Sequence, residues 1–262
     1  MKLLIVLLKE MLETLLRCSR LLGNKIRMKQ KGGGISNILN ALKQYGLFIE
    51  TDFYTAEECS NLRNKIDNLI ANDSSNVWVD EVGADHRIFF INEIDEEFNK
   101  FYNNRLIRKV LAGYTGTTKP NGMLLAARID AKKGNVGSGG GWHRDSPITH
   151  QFKAICYLSD VNEKNGPFQY IRSSHKKMDV LKAYFAGIFT AGQYRFSEEV
   201  INNYLIKNDN TVTELTAREG TIAFADTKGL HRGKPIEEGS RYVLFCYFWH
   251  GDVPSHFERL RQ

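Results

Sequence analysis

The sequence predicts an α+β fold in which helices come first and a β-sandwich or barrel of jelly-roll type follows. Two observations carry that prediction. Up to residue 118 apolar residues recur at helical spacing, and after it short apolar or alternating runs take over, at residues 123–129, 152–158, 221–224 and 242–249. Gly, Asn, Asp and Pro punctuate those runs, as expected of strands joined by turns. A third observation makes a packed core affordable: 262 residues with 42% hydrophobic content can bury one without disulfide or metal staples.

Taking the elements in order, Leu4, Leu8, Met11, Leu12 and Leu15 step along one face of an expected amphipathic helix within residues 1–22. Its uninterrupted apolar run covers only residues 3–8, too short and too closely followed by charge for a membrane span or a signal peptide. The helix is expected to bury its apolar face on its own domain, on a second copy, or at a membrane surface as a peripheral contact. KQKGGG at residues 29–34 reads as a hinge, dividing an N-terminal segment (1–34) from the main domain (35–262), whose β core spans about 120–250. Residues 36–45 predict a short helix and 47–49 a short strand. Thr55 and Glu58 have the spacing of a capping box, and behind them Cys59, Leu62, Ile66 and Leu69 form one helical face. In residues 152–158, Phe152, Ala154, Cys156 and Leu158 share one side of a strand. A helical insert is expected between residues 178 and 205.

Charge and cysteine usage narrow the class. The net charge is +6, spread over pairs such as Lys132 and Lys133 or Lys176 and Lys177 with acidic stretches between. No basic stripe interleaved with aromatics is present, so nucleic acid is not an expected partner. The four cysteines, Cys18, Cys59, Cys156 and Cys246, are scattered without a CxxC pair, which argues against a zinc knuckle or a disulfide framework and fits a cytoplasmic protein, free or peripheral at a membrane.

The chemistry concentrates in His143-Arg144-Asp145, which follows a Gly-rich loop at residues 134–142. Residues i and i+2 of an extended segment point the same way, so His143 and Asp145 can offer an imidazole and a carboxylate to one ion. His231, in GLHRG, is the candidate third ligand. Two histidines and one carboxylate leave three positions of an octahedron open, the arrangement suited to non-haem Fe(II) oxygenases. HExxH, the helical spacing of many zinc hydrolases, is missing. Ten residues beyond His231 stands Arg241, whose guanidinium can grip a carboxylate near the metal with two prongs.

Together with YGLFIETDFYTAEECSNLRNKID (45–67), GWHRDSP (141–147), YLSDVNEKNGPFQYIRSSHK (157–176) and GTIAFADTKGLHRGKPIEEGSRYVLFCYFW (220–249), these residues make the chain resemble the phytanoyl-CoA dioxygenase-like family of Fe(II)/2-oxoglutarate-dependent oxygenases. The resemblance implies a double-stranded β-helix (a jelly-roll or cupin-like barrel) with supporting N-terminal helices. It carries His143, Asp145 and His231 over as iron ligands and Arg241 as the clamp on 2-oxoglutarate. The activity it implies is O2-dependent hydroxylation of an unactivated C–H bond, releasing succinate and CO2. Asp145, which related halogenases replace with a small residue, favours hydroxylation. Arg172-Ser173-Ser174-His175 departs from the family's usual Pro-Gly-Ser-His and, with the long Gly-rich loop, bears on the substrate. That substrate is expected to be a small molecule, a lipid or glycolipid, or a carbohydrate.

Further candidates are Arg128, as a second cation for 2-oxoglutarate, and Trp142, Gln169 and Arg87, as substrate contacts; His175 is read as structural. Two other readings stay open on the sequence: a cupin-like metal enzyme that does not use 2-oxoglutarate, and a β-barrel serving as an interaction module.

Overall fold

The computed structural model describes residues 2–28, 35–72, 77–145, 152–208 and 210–261. The hinge expected at 29–34 and the loop 146–151 after Asp145 lie outside the described residues. The elements run α1 (Lys2–Met28), α2 (Ser36–Tyr45), β1 (Leu47–Glu50), α3 (Ala56–Asn72), β2 (Trp78–Val79), β3 (Asp85–Ile88), α4 (Ile91–Ile94), α5 (Glu96–Tyr102) and α6 (Arg105–Thr115). The β-rich part follows: β4 (Asn121–Asp130), β5 (Lys153–Tyr157), β6 (Phe168–Ile171), α7 (Lys177–Phe185), α8 (Glu198–Asn208), β7 (Val212–Leu215), β8 (Ile222–Ala225), β9 (His231–Gly233), β10 (Ser240–Trp249) and α9 (Ser255–Glu258).

Local chemistry sets several of these boundaries. The capping box before α3 is reciprocal: the Thr55 backbone N–H donates to Glu58 Oε2 at 2.8 Å, and the Glu58 N–H donates to Thr55 Oγ1 at 3.2 Å. Asn104 caps α6 by accepting from the Leu106 N–H. Gly46 ends α2 in the left-handed region, at φ 78°, and a Cβ there would meet the Tyr170 hydroxyl at 2.1 Å, so this turn requires glycine.

All the strand pairs are antiparallel, in a seven-stranded sheet of order β1-β8-β5-β10-β4-β3-β2 and a three-stranded sheet of order β7-β6-β9. Strand alternation divides the core in two. On one side of the large sheet, Leu124, Ala126, Phe152, Ala154, Cys156 and Leu158 pack with residues of α2, α3, α5 and α6. On the other, Leu125, Ala127, Ile129, Ile155 and Tyr157 pack with Phe168, Tyr170 and Leu215 of the small sheet. Strand β5 is therefore buried on both faces. The β2–β3 hairpin, which the sequence patterning did not announce, extends the large sheet beyond β4.

Helix α1 departs from one of the three outcomes expected for it, burial of its apolar face on its own domain. It packs against α6 and α7, but the face it turns inward is charged: Glu10 and Glu13 are buried and Leu4, Leu8, Met11, Leu12 and Leu15 are exposed. The physical reason lies in the partners. Glu13 receives Lys177 Nζ at 2.7 Å and lies 3.6 Å from Lys228 Nζ, and Glu10 is 3.8 Å from the buried Arg144. Arg17 donates to the Tyr114 carbonyl at 3.1 Å and lies over the Tyr114 ring. Lys228 and Arg144 are buried and would lose the Glu13 and Glu10 carboxylates if leucines faced them, a cost that outweighs the gain from burying leucines at that contact.

Candidate metal centre

His143 and Asp145 lie just before the undescribed loop, in an extended segment too short to form a ladder of its own. It is held instead by backbone pairing with the chain around His231. The His143 N–H donates to the His231 carbonyl at 2.9 Å, the His231 N–H returns the bond at 3.0 Å, and the Asp145 N–H donates to the Thr227 carbonyl at 2.8 Å. Arg144, between the two candidate ligands, donates from Nε to the Lys228 carbonyl at 2.6 Å. These bonds set the register of two segments more than eighty residues apart. The result is that His143, Asp145 and His231 each bring one ligand atom to within 4.8 Å of the others.

Both imidazoles are prepared for such a role. Nδ1 of His143 lies 2.9 Å from the Gly141 carbonyl, and Nδ1 of His231 lies 2.9 Å from the Gly229 carbonyl. A carbonyl only accepts, so each Nδ1 carries the proton and each Nε2 keeps its lone pair. The His231 Nε2 is buried with no hydrogen-bond partner among the described residues. Burial lowers the His143 pKa to about 4, with Lys153 adding to the effect and Asp145 opposing it. Burial and the neighbouring His143 push His231 well below the ordinary histidine value. Both rings are accordingly neutral, the state that binds a metal. Gly139 belongs to this arrangement: it adopts φ 89°, and a Cβ there would lie 2.5 Å from His143 Cε1.

A cavity opens beside these residues, and Arg241, Arg87, Lys153 and Arg232 supply its cationic lining. Arg241, at the start of β10, is only 2% exposed, and its Nε and Nη1 have no hydrogen-bond partner among the described residues. Burial, with some help from Arg87, lowers its pKa. A guanidinium buried with unmet donors is costly unless a ligand satisfies it. The donor set thus fits the implied groups: two neutral imidazoles and a carboxylate for Fe(II), and an unsatisfied guanidinium for a carboxylate of 2-oxoglutarate.

Lys153 is a site residue that the sequence reading missed. It is buried on β5, with Nζ 2.9 Å from Asp145 Oδ2 and 4.8 Å from the centre of the Tyr247 ring. Burial alone would lower its pKa, but Asp145 and Tyr247 together more than offset that and raise it. The available signal was a lone lysine inside an otherwise apolar strand, between Phe152 and Ala154.

The other candidates separate. Arg87 lines the cavity, held by Asp85 at 2.5 Å. Arg128 does not: Ala127 and Ile129 face the inter-sheet core, so alternation turns Arg128 to the opposite side, where Asp67 and Asp130 each pair with it at 3.0 Å. That placement corrects the expectation that Arg128 reaches 2-oxoglutarate. Trp142 and Gln169 also lie outside the cavity lining. Trp142 packs with Phe189, Phe196 and Leu230, with Arg232 over its ring at 4.6 Å. Gln169 accepts from Arg232 Nε at 2.5 Å, so both residues touch Arg232, which lines the cavity. His175 is buried and bonds the Lys43 carbonyl at 3.2 Å, a structural contact at the end of α2.

Comparison with known proteins follows the same lines. The family model described as Phytanoyl-CoA dioxygenase (PhyH) matches residues 42–237. Ectoine dioxygenase of Halomonas elongata is 26% identical over 156 residues, 53% of this chain and 45% of that enzyme, so the match spans less than half of that relative. Among solved structures, EctD from S. alaskensis with 2-oxoglutarate and 5-hydroxyectoine superposes with a TM-score of 0.65 at 17% identity, over 82% of this chain and 75% of that one. The epimerase SnoN, in complex with Fe3+, alpha ketoglutarate and nogalamycin RO, gives 0.64 at 13% identity, over 87% and 89%. HygX from Streptomyces hygroscopicus, with nickel, 2-oxoglutarate and hygromycin B bound, gives 0.57 at 16%, over 82% and 86%. At these identities the structural likeness establishes the fold.

Proposed function

This chain belongs to the phytanoyl-CoA dioxygenase family of Fe(II)- and 2-oxoglutarate-dependent oxygenases, and we propose that it hydroxylates an unactivated C–H bond of a small-molecule substrate, releasing succinate and CO2. In this reading the two sheets form the family's double-stranded β-helix. His143, Asp145 and His231 would hold Fe(II), and Arg241 would hold a carboxylate of 2-oxoglutarate. The observation that carries the proposal is the convergence of two neutral imidazoles and a carboxylate within 4.8 Å, in a cavity that also holds a buried guanidinium with unmet donors.

Bound Fe(II), with 2-oxoglutarate and O2, supplies the oxidising power; the chain supplies binding, orientation and shielding. The Gly141 and Gly229 carbonyls fix both rings by Nδ1, so that each Nε2 would be free to bind the ion. Lys153 orients the Asp145 carboxylate and balances its charge in a desolvated site. Phe168 and Ile155, lining the same cavity, keep water from the reacting centre. Arg87 and Arg232, further cations of the lining, favour a substrate bearing an anionic or strongly polar group. Arg241 also weighs against a cupin-like enzyme that dispenses with 2-oxoglutarate, since such an enzyme would leave this buried cation without a purpose.

Anaerobic reconstitution with Fe(II) and 2-oxoglutarate tests the proposal, followed by a screen of metabolite extracts for O2-dependent succinate formation. Wild-type protein should bind both groups and His231→Ala should bind neither tightly. Succinate formation undiminished in His143→Ala or His231→Ala would overturn the ligand assignment.

A further inference from the structure

The outward face of α1 is a continuous apolar stripe. Leu4, Leu8, Met11, Leu15 and Leu22 follow one another at steps of four, three, four and seven residues, which keeps them on one side of a helix. All five are exposed, Leu8 at 55% and Leu15 at 66%, with Ile5, Leu12 and Leu16 widening the stripe. A stripe of this length is larger than the scattered apolar residues an ordinary surface carries. It is held outward by construction: Glu10, Glu13 and Arg17 turn toward the body of the protein and are engaged there.

Charge identifies what covers it. Residues 1–31 contain eight Lys or Arg against two Asp or Glu, so the whole +6 of the chain resides in this segment and the remainder is neutral. The two acids, Glu10 and Glu13, are the ones buried against lysines and Arg144. The outward face of α1 therefore presents no carboxylate. Four cations, Lys25, Arg27, Lys29 and Lys31, follow the stripe in sequence. A second copy of this chain would bring the same excess of positive charge against itself, and leucines flanked by cations with no acid match an anionic lipid surface. Among the described residues no helix is long and apolar enough to cross a membrane, so the contact lies in the interface plane.

We propose that α1 docks this protein on anionic lipid bilayers, its inner face clamped to the domain by ion pairs and its leucine face inserted among the acyl chains. The proposal is independent of the reading of the metal centre. Full-length protein is to be floated with phosphatidylcholine vesicles, with and without phosphatidylglycerol, at low and high salt, beside the variant Leu8→Asp/Leu15→Asp. Both leucines are exposed, so the variant should keep its thermal midpoint and its metal-dependent stabilisation. Wild type should float with the anionic vesicles, more weakly at high salt, and each leucine replaced should cost about tenfold or more in partition. Failure of the wild type to float overturns the proposal. So does a stable dimer by light scattering that the double variant abolishes, since the stripe would then be an interface between copies.

Discussion

Replacing Arg241 with methionine should separate a ligand-holding guanidinium from a structural one, because the two roles predict opposite effects on the ligand-free protein. In the structure the group is 2% exposed, and Nε and Nη1 meet no acceptor among the described residues. Each unmet buried donor costs about 1–3 kcal/mol, so an apolar side chain of similar length should leave the ligand-free protein as stable as wild type or more so. With the co-substrate the sign reverses. Truncating one side of a desolvated charge pair costs about 2–5 kcal/mol. At about 1.4 kcal/mol per decade, the 2-oxoglutarate requirement should rise at least about thirtyfold. Anaerobic thermal denaturation with Mn(II) in place of Fe(II) reads both effects. At a hundredfold excess over its dissociation constant, 2-oxoglutarate should stabilise wild type by about 2.7 kcal/mol. For a chain of this size that corresponds to a rise of about 5–10 °C. At the same concentration Arg241→Met should show little rise, and Arg241→Lys a partial one, since an ammonium cannot reproduce the two-pronged geometry. An Arg241→Met protein that melts far below wild type yet keeps the full co-substrate shift would refute the reasoning, because the guanidinium would then be serving the fold.

Lys153→Met should destabilise the metal-free protein, because Asp145 loses its 2.9 Å partner, yet enlarge the stabilisation given by Mn(II), because a competing cation has left the site; thermal shifts with and without metal check both signs. Glu13→Ala should lower stability against urea by about 1–3 kcal/mol, since it removes one of two carboxylates beside the buried Lys228, which keeps Asp226 at 3.8 Å, and frees Lys177 at the inner face of α1. Metal-free protein should also lose stability in acid. His143 titrates near 4 when folded against an ordinary 6.5, so below about 6.5 the unfolded chain takes up the proton first. The contribution of this neutral ring is complete above about 6.5 and is lost as the pH falls through about 4; denaturation curves of His143→Leu should be flatter across that window.

What could be read from the sequence was whatever depends on neighbours along the chain. The Thr55–Glu58 capping box, the helix at 36–45 and the alternation of Phe152, Ala154, Cys156 and Leu158 are local patterns, and the structure contains each of them. The HxD pair was legible for the same reason, because two residues of one extended segment share a side whatever lies beyond them. The misplaced residues all depended on which side that was. Alternation told that Arg128 and Ala127 point opposite ways, but only the packing of β4 against the small sheet shows that the cavity lies on the Ala127 side. The same ambiguity hid Lys153, whose neighbours Phe152 and Ala154 face the helices while its own side chain faces the candidate ligands.

Helix α1 shows the limit most plainly. Its leucines form a correct amphipathic pattern, and the usual inference is that the apolar side goes in. The outcome was decided by Lys177, Lys228 and Arg144, more than a hundred residues downstream, which are buried or half-buried and need anions. Glu10 and Glu13 supply them, and Arg17 reaches the Tyr114 carbonyl from the same face. Tyr114 in turn donates to the fully buried Asp226, five residues before His231; burial raises the Asp226 pKa, but Lys228, His175 and Arg17 outweigh it and hold that carboxylate low. A chain of buried charge thus runs from α1 to the segment carrying the third candidate ligand.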